Sequence, residues 1–465
     1  MFECISPGVA FPRLPLVGAP CSKPRFLFWL FLLQIGSAAS GRQKDHLTMK
    51  SICRWFGRKR VSCLLGAGTT IPVGGPRTTD ITAAARGKSQ HVIDPSTNTW
   101  VQVAFIDEIA ERLDQFLAPQ RCHFEDIFHV LETLESYRAG WESGTHERYK
   151  PRPGAFFAPS DERYFNLMWL IAAKRGLLEA VAEQVGESLS RFERDGRHQW
   201  FREFWADALR RATWDIGTLN YDNLLEQIDV ELEDGFPSNP KWARFDPHRL
   251  WTSRRSRILH LHGSIFYGYL PFSEQKQFID YDEDLCKYRS STEARETWFG
   301  KSSATAQSHE ESVIGPLITG LRKTDKLTVH PYDEYQAVFR RAVYKSDRLL
   351  IAGYSFGDLY LNSIIDRMLG LHGSSRRIVI VTWFPGEKHS WHCDPRVLNQ
   401  NHGWPGTEMY SSLGIAMDSV QPLGSSLTYK DKLVSADGCC RVYLGGTQEA
   451  FEKYGEEILD FLISD

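Results

Sequence analysis

Five short apolar runs punctuate the chain without alternation: Val61–Leu65, Trp214–Leu219, Arg257–Leu261, Arg348–Ala352 and Arg377–Val381. Continuous runs of this length are the pattern of strands buried on both faces. Between them the apolar positions change period. Phe105, Ile106, Ile109, Leu113, Phe116 and Leu117 share one helical face, as do Phe201, Phe204, Trp205, Ala208 and Leu209. Tyr332, Tyr335, Val338, Phe339, Ala342 and Val343 repeat the pattern, and Tyr164 to Val185 reads as one long helix. Strands alternating with helices predict an α/β fold, a Rossmann-like parallel sheet with helices on both faces. The stretch from Trp100 to Ala212 reads as predominantly helical. The sheet domain is therefore placed at 49–99 and 213–465, with a helical insertion over 100–212. The proline-rich stretch Lys150–Pro159 reads as a loop inside that insertion, and Tyr288–Ser312, rich in Ser, Thr, Lys, Arg and Glu, as a mobile surface loop.

Residues 1–48 stand apart. The apolar run Phe26–Leu33, with basic residues before it and Gly36-Ser37-Ala38-Ala39-Ser40 after it, has the layout of a secretory signal and is too short to span a membrane. Met49, however, opens a basic segment that leads straight into the first strand. The leader is therefore read as lying outside the fold, with a start at Met49.

Composition narrows the function classes. Fourteen Trp and 27 Phe in 465 residues give enough apolar surface for a large core. Lys+Arg 55 against Asp+Glu 58 leaves a net charge of −3, so no basic field for nucleic acid is expected. Nine cysteines with no Cys-x-x-Cys spacing fit reduced thiols in a cytoplasm, and no metal site is expected from them.

In an open α/β sheet, ligands bind beyond the carboxyl ends of the strands. Four turns at such ends are unusual. Gly66-Ala67-Gly68-Thr69-Thr70 lacks side chains where backbone amides would approach a diphosphate, although glycine turns after strands are also common for purely structural reasons. Thr218-Leu219-Asn220-Tyr221-Asp222 carries two polar side chains that helix capping alone would explain. Leu261-His262-Gly263 offers a histidine, a residue more often structural than catalytic. Gly353-Tyr354-Ser355-Phe356-Gly357-Asp358 suits a ribose or, equally, a plain strand-to-helix turn.

Taken together, the four turns resemble the sirtuin fold in order and spacing over about Val61 to Asp366. The wording GYSFGDLYLN, the phrase Phe124-Glu125-Asp126-Ile127 and the run Pro316-Leu317-Ile318-Thr319-Gly320 resemble the sirtuin-like branch of bacterial anti-phage defence proteins. That resemblance implies NAD+ as substrate, hydrolysis to nicotinamide and ADP-ribose, a homo-oligomer, and a HerA-type ATPase or other defence partner, with neither membrane nor nucleic acid bound directly. Protein deacylation, ADP-ribosyl transfer and a non-catalytic NAD or ADP-ribose sensor are the competing activities. Two departures stand out. Where sirtuin deacetylases carry Gly-Ile-Pro-Asp-Phe-Arg, this chain has Gly74-Gly75-Pro76-Arg77-Thr78-Thr79. Between His262 and Gly353 it has one cysteine, Cys286, where deacetylases carry four zinc ligands, so the zinc-binding small domain is expected to be absent.

Expelling nicotinamide, already cationic in NAD+, requires no general acid, in contrast to ordinary glycoside hydrolysis. A base that activates water or polarises a ribose hydroxyl remains useful, and an imidazole with an ordinary pKa of about 6.5 suits that role. The resemblance assigns it to His262 and gives Asn220 the placing of water and sugar. Gly66, Ala67, Gly68 and Thr70 would hold the diphosphate, Asp222 would orient the loop or the ligand, and Gly353, Ser355 and Asp358 would face the adenosine ribose.

Overall fold

A computed structural model describes residues 58–94, 96–138, 162–238, 241–270, 285–298, 316–319, 327, 330–383, 420–422, 432–435 and 437–464. The leader and the Lys150–Pro159 loop lie outside the described residues. The strands are β1 (Arg60–Leu65), β2 (Gln90–Asp94), β3 (Thr99–Val103), β4 (Thr213–Thr218), β5 (Trp242–Arg244), β6 (Arg257–His260), β7 (Tyr267–Gly268), β8 (Cys286–Tyr288), β9 (Arg348–Ala352), β10 (Arg377–Val381), β11 (Val420–Pro422), β12 (Lys432–Ser435) and β13 (Cys440–Tyr443). The helices are α1 (Thr78–Arg86), α2 (Phe105–Leu117), α3 (Phe124–Arg138), α4 (Leu167–Arg194), α5 (Gln199–Arg211), α6 (Leu224–Ile228), α7 (Pro247–Thr252), α8 (Ser291–Glu296), α9 (Tyr332–Lys345), α10 (Leu359–His372) and α11 (Gly446–Ile463). Among these helices none is long and apolar enough to cross a membrane.

The main sheet has the order β11-β12-β13-β10-β9-β1-β4-β6. From β13 to β6 every neighbouring pair is parallel, and at one edge β12 pairs antiparallel with both β13 and β11. All five apolar runs are strands of this parallel core. Successive side chains point to opposite faces, and each face has its own helices. Cys63, Leu65, Ile216, Leu350 and Val379 pack with the aromatic face of α5 and with Phe451, Ile458 and Leu462 of α11. Leu64, Leu259, Leu349, Ile351 and Ile380 pack with Val338, Phe339 and Val343 of α9 and Leu361, Ile364 and Met368 of α10. Phe204 of α5 stacks on Phe451 of α11 at 3.6 Å between ring centroids, which ties the helices before β4 to the last helix of the chain.

The sequence expectations need two corrections here. Trp100, read as the start of a helical stretch, lies on β3, which pairs with β2 in an antiparallel hairpin. Tyr288–Ser312 is not a loop throughout: Tyr288 ends β8, Ser290 caps α8 by accepting from Thr292 N–H, and Trp298 is buried. The polar residues there cap a short helix and, as with Thr292, Glu293 and Glu296, face solvent on it; 299–312 lie outside the described residues. The glycine turn after β1 opens two single 3-10 turns, Ala67–Thr69 and Ile71–Val73, before α1 begins at Thr78.

At the amino ends of the strands a buried ion triad anchors the sheet. Asp215, fully buried on β4, accepts from Arg60 Nη1 at 2.7 Å and Arg257 Nε at 2.6 Å. Removing one member of such a set leaves charge uncompensated in the interior, at a cost of about 3–5 kcal/mol. Asp215→Ala should therefore lower stability by about that amount in denaturant titration. A loss below about 1 kcal/mol, the value of an exposed pair, would show that solvent reaches these arginines.

Candidate functional site

Strand register puts the candidate turns on one rim. Leu65 lies opposite both Thr218 and Ala352, Thr218 opposite His260, and Val381 opposite Ala352 and Tyr443. These six residues form one row across the sheet, so the chain leaves all six strands at the same level.

The first and fourth turns interlock. Gly66 N–H donates to Ala352 O and Gly68 N–H to Gly353 O, at 2.9 and 3.0 Å. A Cβ on Gly66 would lie 2.5 Å from Gly353 O, and one on Gly68 would lie 2.8 Å from Gly353 Cα. Thr69 Oγ1 adds a bond to Ala352 O at 2.8 Å. The glycines are needed here for packing turn on turn. The amides of Gly66, Gly68, Thr69 and Thr70 are all spent on backbone carbonyls, while Ala67 is exposed at the tip. Thr70 Oγ1 also turns inward, to Ala67 O.

Asn220 reaches the same turn from β4. Its Nδ2 donates to Gly66 O at 3.2 Å, and its own N–H is held by Thr218 Oγ1. Asp222 accepts from Leu224 N–H at 3.1 Å at the start of α6. Burial pushes the Asp222 carboxyl up to about 6, against the Leu224 hydrogen bond and with the Glu226 charge reinforcing the shift. A carboxyl raised in the fold favours folding most when protonated. Its contribution is full below about pH 4 and is lost as pH rises to about 6, amounting to about 3 kcal/mol for a shift of about two units. Asp222→Asn keeps the acceptor for Leu224 and removes the charge. It should be the more stable protein at pH 7, with the advantage vanishing towards pH 4 in parallel thermal melts. Curves that stay parallel across that window would sink the assignment.

His262 follows β6. Its Nε2 is 3.4 Å from Asp358 Oδ2, a long contact in which Nε2–H donates in the tautomer that carries it. Asp358 Oδ1 meanwhile caps α10, accepting from Tyr360 and Leu361 N–H. The expected ribose ligand thus also faces the histidine, a pairing absent from the sequence reading. Gly263 has φ +89° because Pro316–Ile318 runs beside it, with Ile318 N–H on His262 O at 2.8 Å. Tyr221 Oη donates to Ile318 O, so the Pro316-Leu317-Ile318-Thr319 run bridges the asparagine and histidine turns. In the last turn Tyr354 Oη receives Asp358 N–H and bonds Asn362, whose Nδ2 donates to Phe356 O, a residue at φ +60°. Ser355 is exposed between them. Arg77 and Thr79 are exposed at the start of α1, where Asp80 accepts from Arg77 N–H.

Two groups escaped the sequence reading. Thr447, buried at the start of α11, donates from Oγ1 to Gly68 O at 3.0 Å. The signal was available as the strand-then-glycine sequence Val442-Tyr443-Leu444-Gly445-Gly446-Thr447. Glu226 of α6 meets fully buried His260, Nε2 to Oε1 at 2.9 Å; only the fold reveals that pair. A cavity of about 10 Å³, close to one water position, lies beneath the rim between Thr69, Thr70, Asn220, Asp222, Glu226 and Phe201. A larger open cleft, about 1020 Å³, sits at the amino ends of β9, β10 and β13, the end of the strands away from the rim. Its charges pair among themselves, as in Arg376–Asp437 and Arg441–Glu457, and it contains none of the rim residues.

No curated protein matches the chain. A crystal structure of a Sir2 homologue in complex with NAD aligns over 91% of this chain and 98% of its own, with 13% identity and a TM-score of 0.34. The family model described as SIR2-like domain matches residues 215–397, a span that holds Asn220, Asp222, His262, Gly353, Ser355 and Asp358, so that stretch is similar to this domain.

Proposed function

We propose that the rim binds NAD+ and hydrolyses its nicotinamide–ribose bond, converting NAD+ and water to nicotinamide, ADP-ribose and a proton. The observation that carries the reading is the convergence of Asn220 and His262 on one rim, inside the stretch that matches the SIR2-like domain. In this reading His262, steadied by Asp358, takes the proton from water or a ribose hydroxyl as the bond opens. Asn220 has one amide hydrogen committed to Gly66 O and further hydrogen-bonding capacity for the sugar or the water. Asp222 and the turn from Gly353 to Asp358 orient the dinucleotide. The diphosphate is met by the exposed tip at Ala67 and by Ser355, since the other amides of the first turn are engaged. The resemblance to anti-phage proteins supports a role as a toxic effector, kept inactive until a partner or trigger engages it.

Incubating the purified protein with NAD+, with and without an acylated lysine peptide, and identifying products by mass tests the reading. Nicotinamide and ADP-ribose in both arms support hydrolysis. Consumption only with the peptide, giving acylated ADP-ribose, would replace it by deacylation. Tight NAD+ binding with no turnover, in the protein alone and in lysate of phage-infected host cells, would leave a sensor.

A further inference from the structure

We infer that Glu226 is a positioning residue: its carboxylate, clasped by His260 and Lys287, fixes the Asn220 turn against the strand that delivers His262. The inference rests on the proposed NAD+ cleavage. α6 has five residues, too few to hold its own orientation, and it starts directly after the turn that bears Asn220 and Asp222. Its alignment must come from side-chain contacts.

Glu226 supplies them in two directions. Oε1 lies 2.9 Å from His260 Nε2 on β6, two residues before His262, and 3.5 Å from Lys287 Nζ on β8. Lys287 also pairs with Asp234, whose backbone oxygen accepts from Tyr335 Oη of α9. Tyr335 Oη is 2.9 Å from Tyr267 Oη, and the Tyr267 ring meets His260 edge-on at 5.7 Å between centroids. The groups facing Glu226 are therefore Asp222 and His260 from the rim strands' own segments, Lys287 and Asp234 from the small-sheet side, with Tyr267 and Tyr335 behind them. One carboxylate joins the turn after β4, the strand β6 and the antiparallel sheet β5-β8-β7. Burial opposes its ionisation, yet His260 and Lys287 outweigh burial and hold it at about 2, so the Glu226 carboxylate stays ionised across the physiological range.

Catalysis is sensitive to placement, and a shift of about 1 Å costs about a hundredfold in rate. Glu226→Leu fills the space but accepts no hydrogen bond, and His260→Phe removes the clasp from the other side. Each should lower kcat for NAD+ cleavage about a hundredfold while the calorimetric Kd for NAD+ stays within about threefold, about 0.6 kcal/mol. Glu226→Gln still accepts from His260 and should recover kcat to within about tenfold of wild type. A folded Glu226→Leu or His260→Phe protein turning over at the wild-type rate overturns the inference. So does a loss of affinity as large as the loss of rate, or failure of both variants to fold, which would make the group merely structural. Wild-type protein that neither binds nor cleaves NAD+ overturns the reading of the site itself.

Discussion

His262→Ala and Asn220→Ala should each abolish most NAD+ cleavage while leaving the fold nearly as stable as before. For His262 the expected loss is about 10²- to 10⁴-fold, the usual worth of general-base assistance. Its imidazole meets the second oxygen of Asp358 at 3.4 Å, a long contact, and that aspartate keeps its capping bonds to Tyr360 and Leu361 without it. The backbone bond from Ile318 to His262 O is also indifferent to the side chain. Little stability therefore hangs on the ring. For Asn220 the amide contributes one hydrogen bond to Gly66 O, worth about 1 kcal/mol, whereas misplacing the sugar or the water costs about a hundredfold. An ordinary structural role predicts the reverse ordering, with lowered melting temperature and near-normal turnover per folded molecule. Single-turnover NAD+ loss and thermal melts on the same preparations separate the two. A folded His262→Ala protein keeping more than about a tenth of the wild-type rate is incompatible with the general-base role.

The parallel core was legible because its strands are buried on both faces, and such strands advertise themselves as unbroken apolar runs. The rim followed from it, since each run ends in a turn and the strands turn out to be in register. β13 was not legible for a local reason: Arg441 interrupts its apolar pattern, and only the fold supplies Glu457 to pair with it. The hairpin β2–β3 hid behind a Ser-Thr-Asn turn and a half-exposed, irregular pattern that looks like loop. Glu226 and His260 were invisible in a stronger sense. Each sits at an unremarkable position, and their partnership depends on how α6 lies against β6. The glycines of the first turn show a different case: the sequence reading allowed a purely structural reason for them, and the fold supplies one, since their missing side chains make room for Gly353.

Gly353→Ala should be among the most disruptive single-methyl changes on the rim. Gly353 has φ +62°, and a Cβ there would lie 2.2 Å from Thr69 N and 2.4 Å from Gly68 C. Both are backbone atoms, so no side chain can rotate away. The left-handed conformation alone costs a residue with a Cβ about 1–2 kcal/mol, and forcing the two turns apart adds an overpacking term of about 1–3 kcal/mol. Gly74 supplies the comparison. Its φ is +94°, yet a Cβ there meets nothing within 4 Å, so Gly74→Ala carries the conformational cost without the clash. The difference between the two variants in denaturant titration should therefore be about 1–3 kcal/mol and measures the interlock itself. Function should follow the same order. Separating the turns moves Gly66, the acceptor of the Asn220 amide, and Gly68, the acceptor of Thr447, so Gly353→Ala should lose NAD+ affinity together with turnover. Gly74→Ala should keep both. Equal stability losses in the two variants, with NAD+ binding preserved in each, would mean that the turns can part without consequence and that the rim is not the dinucleotide site.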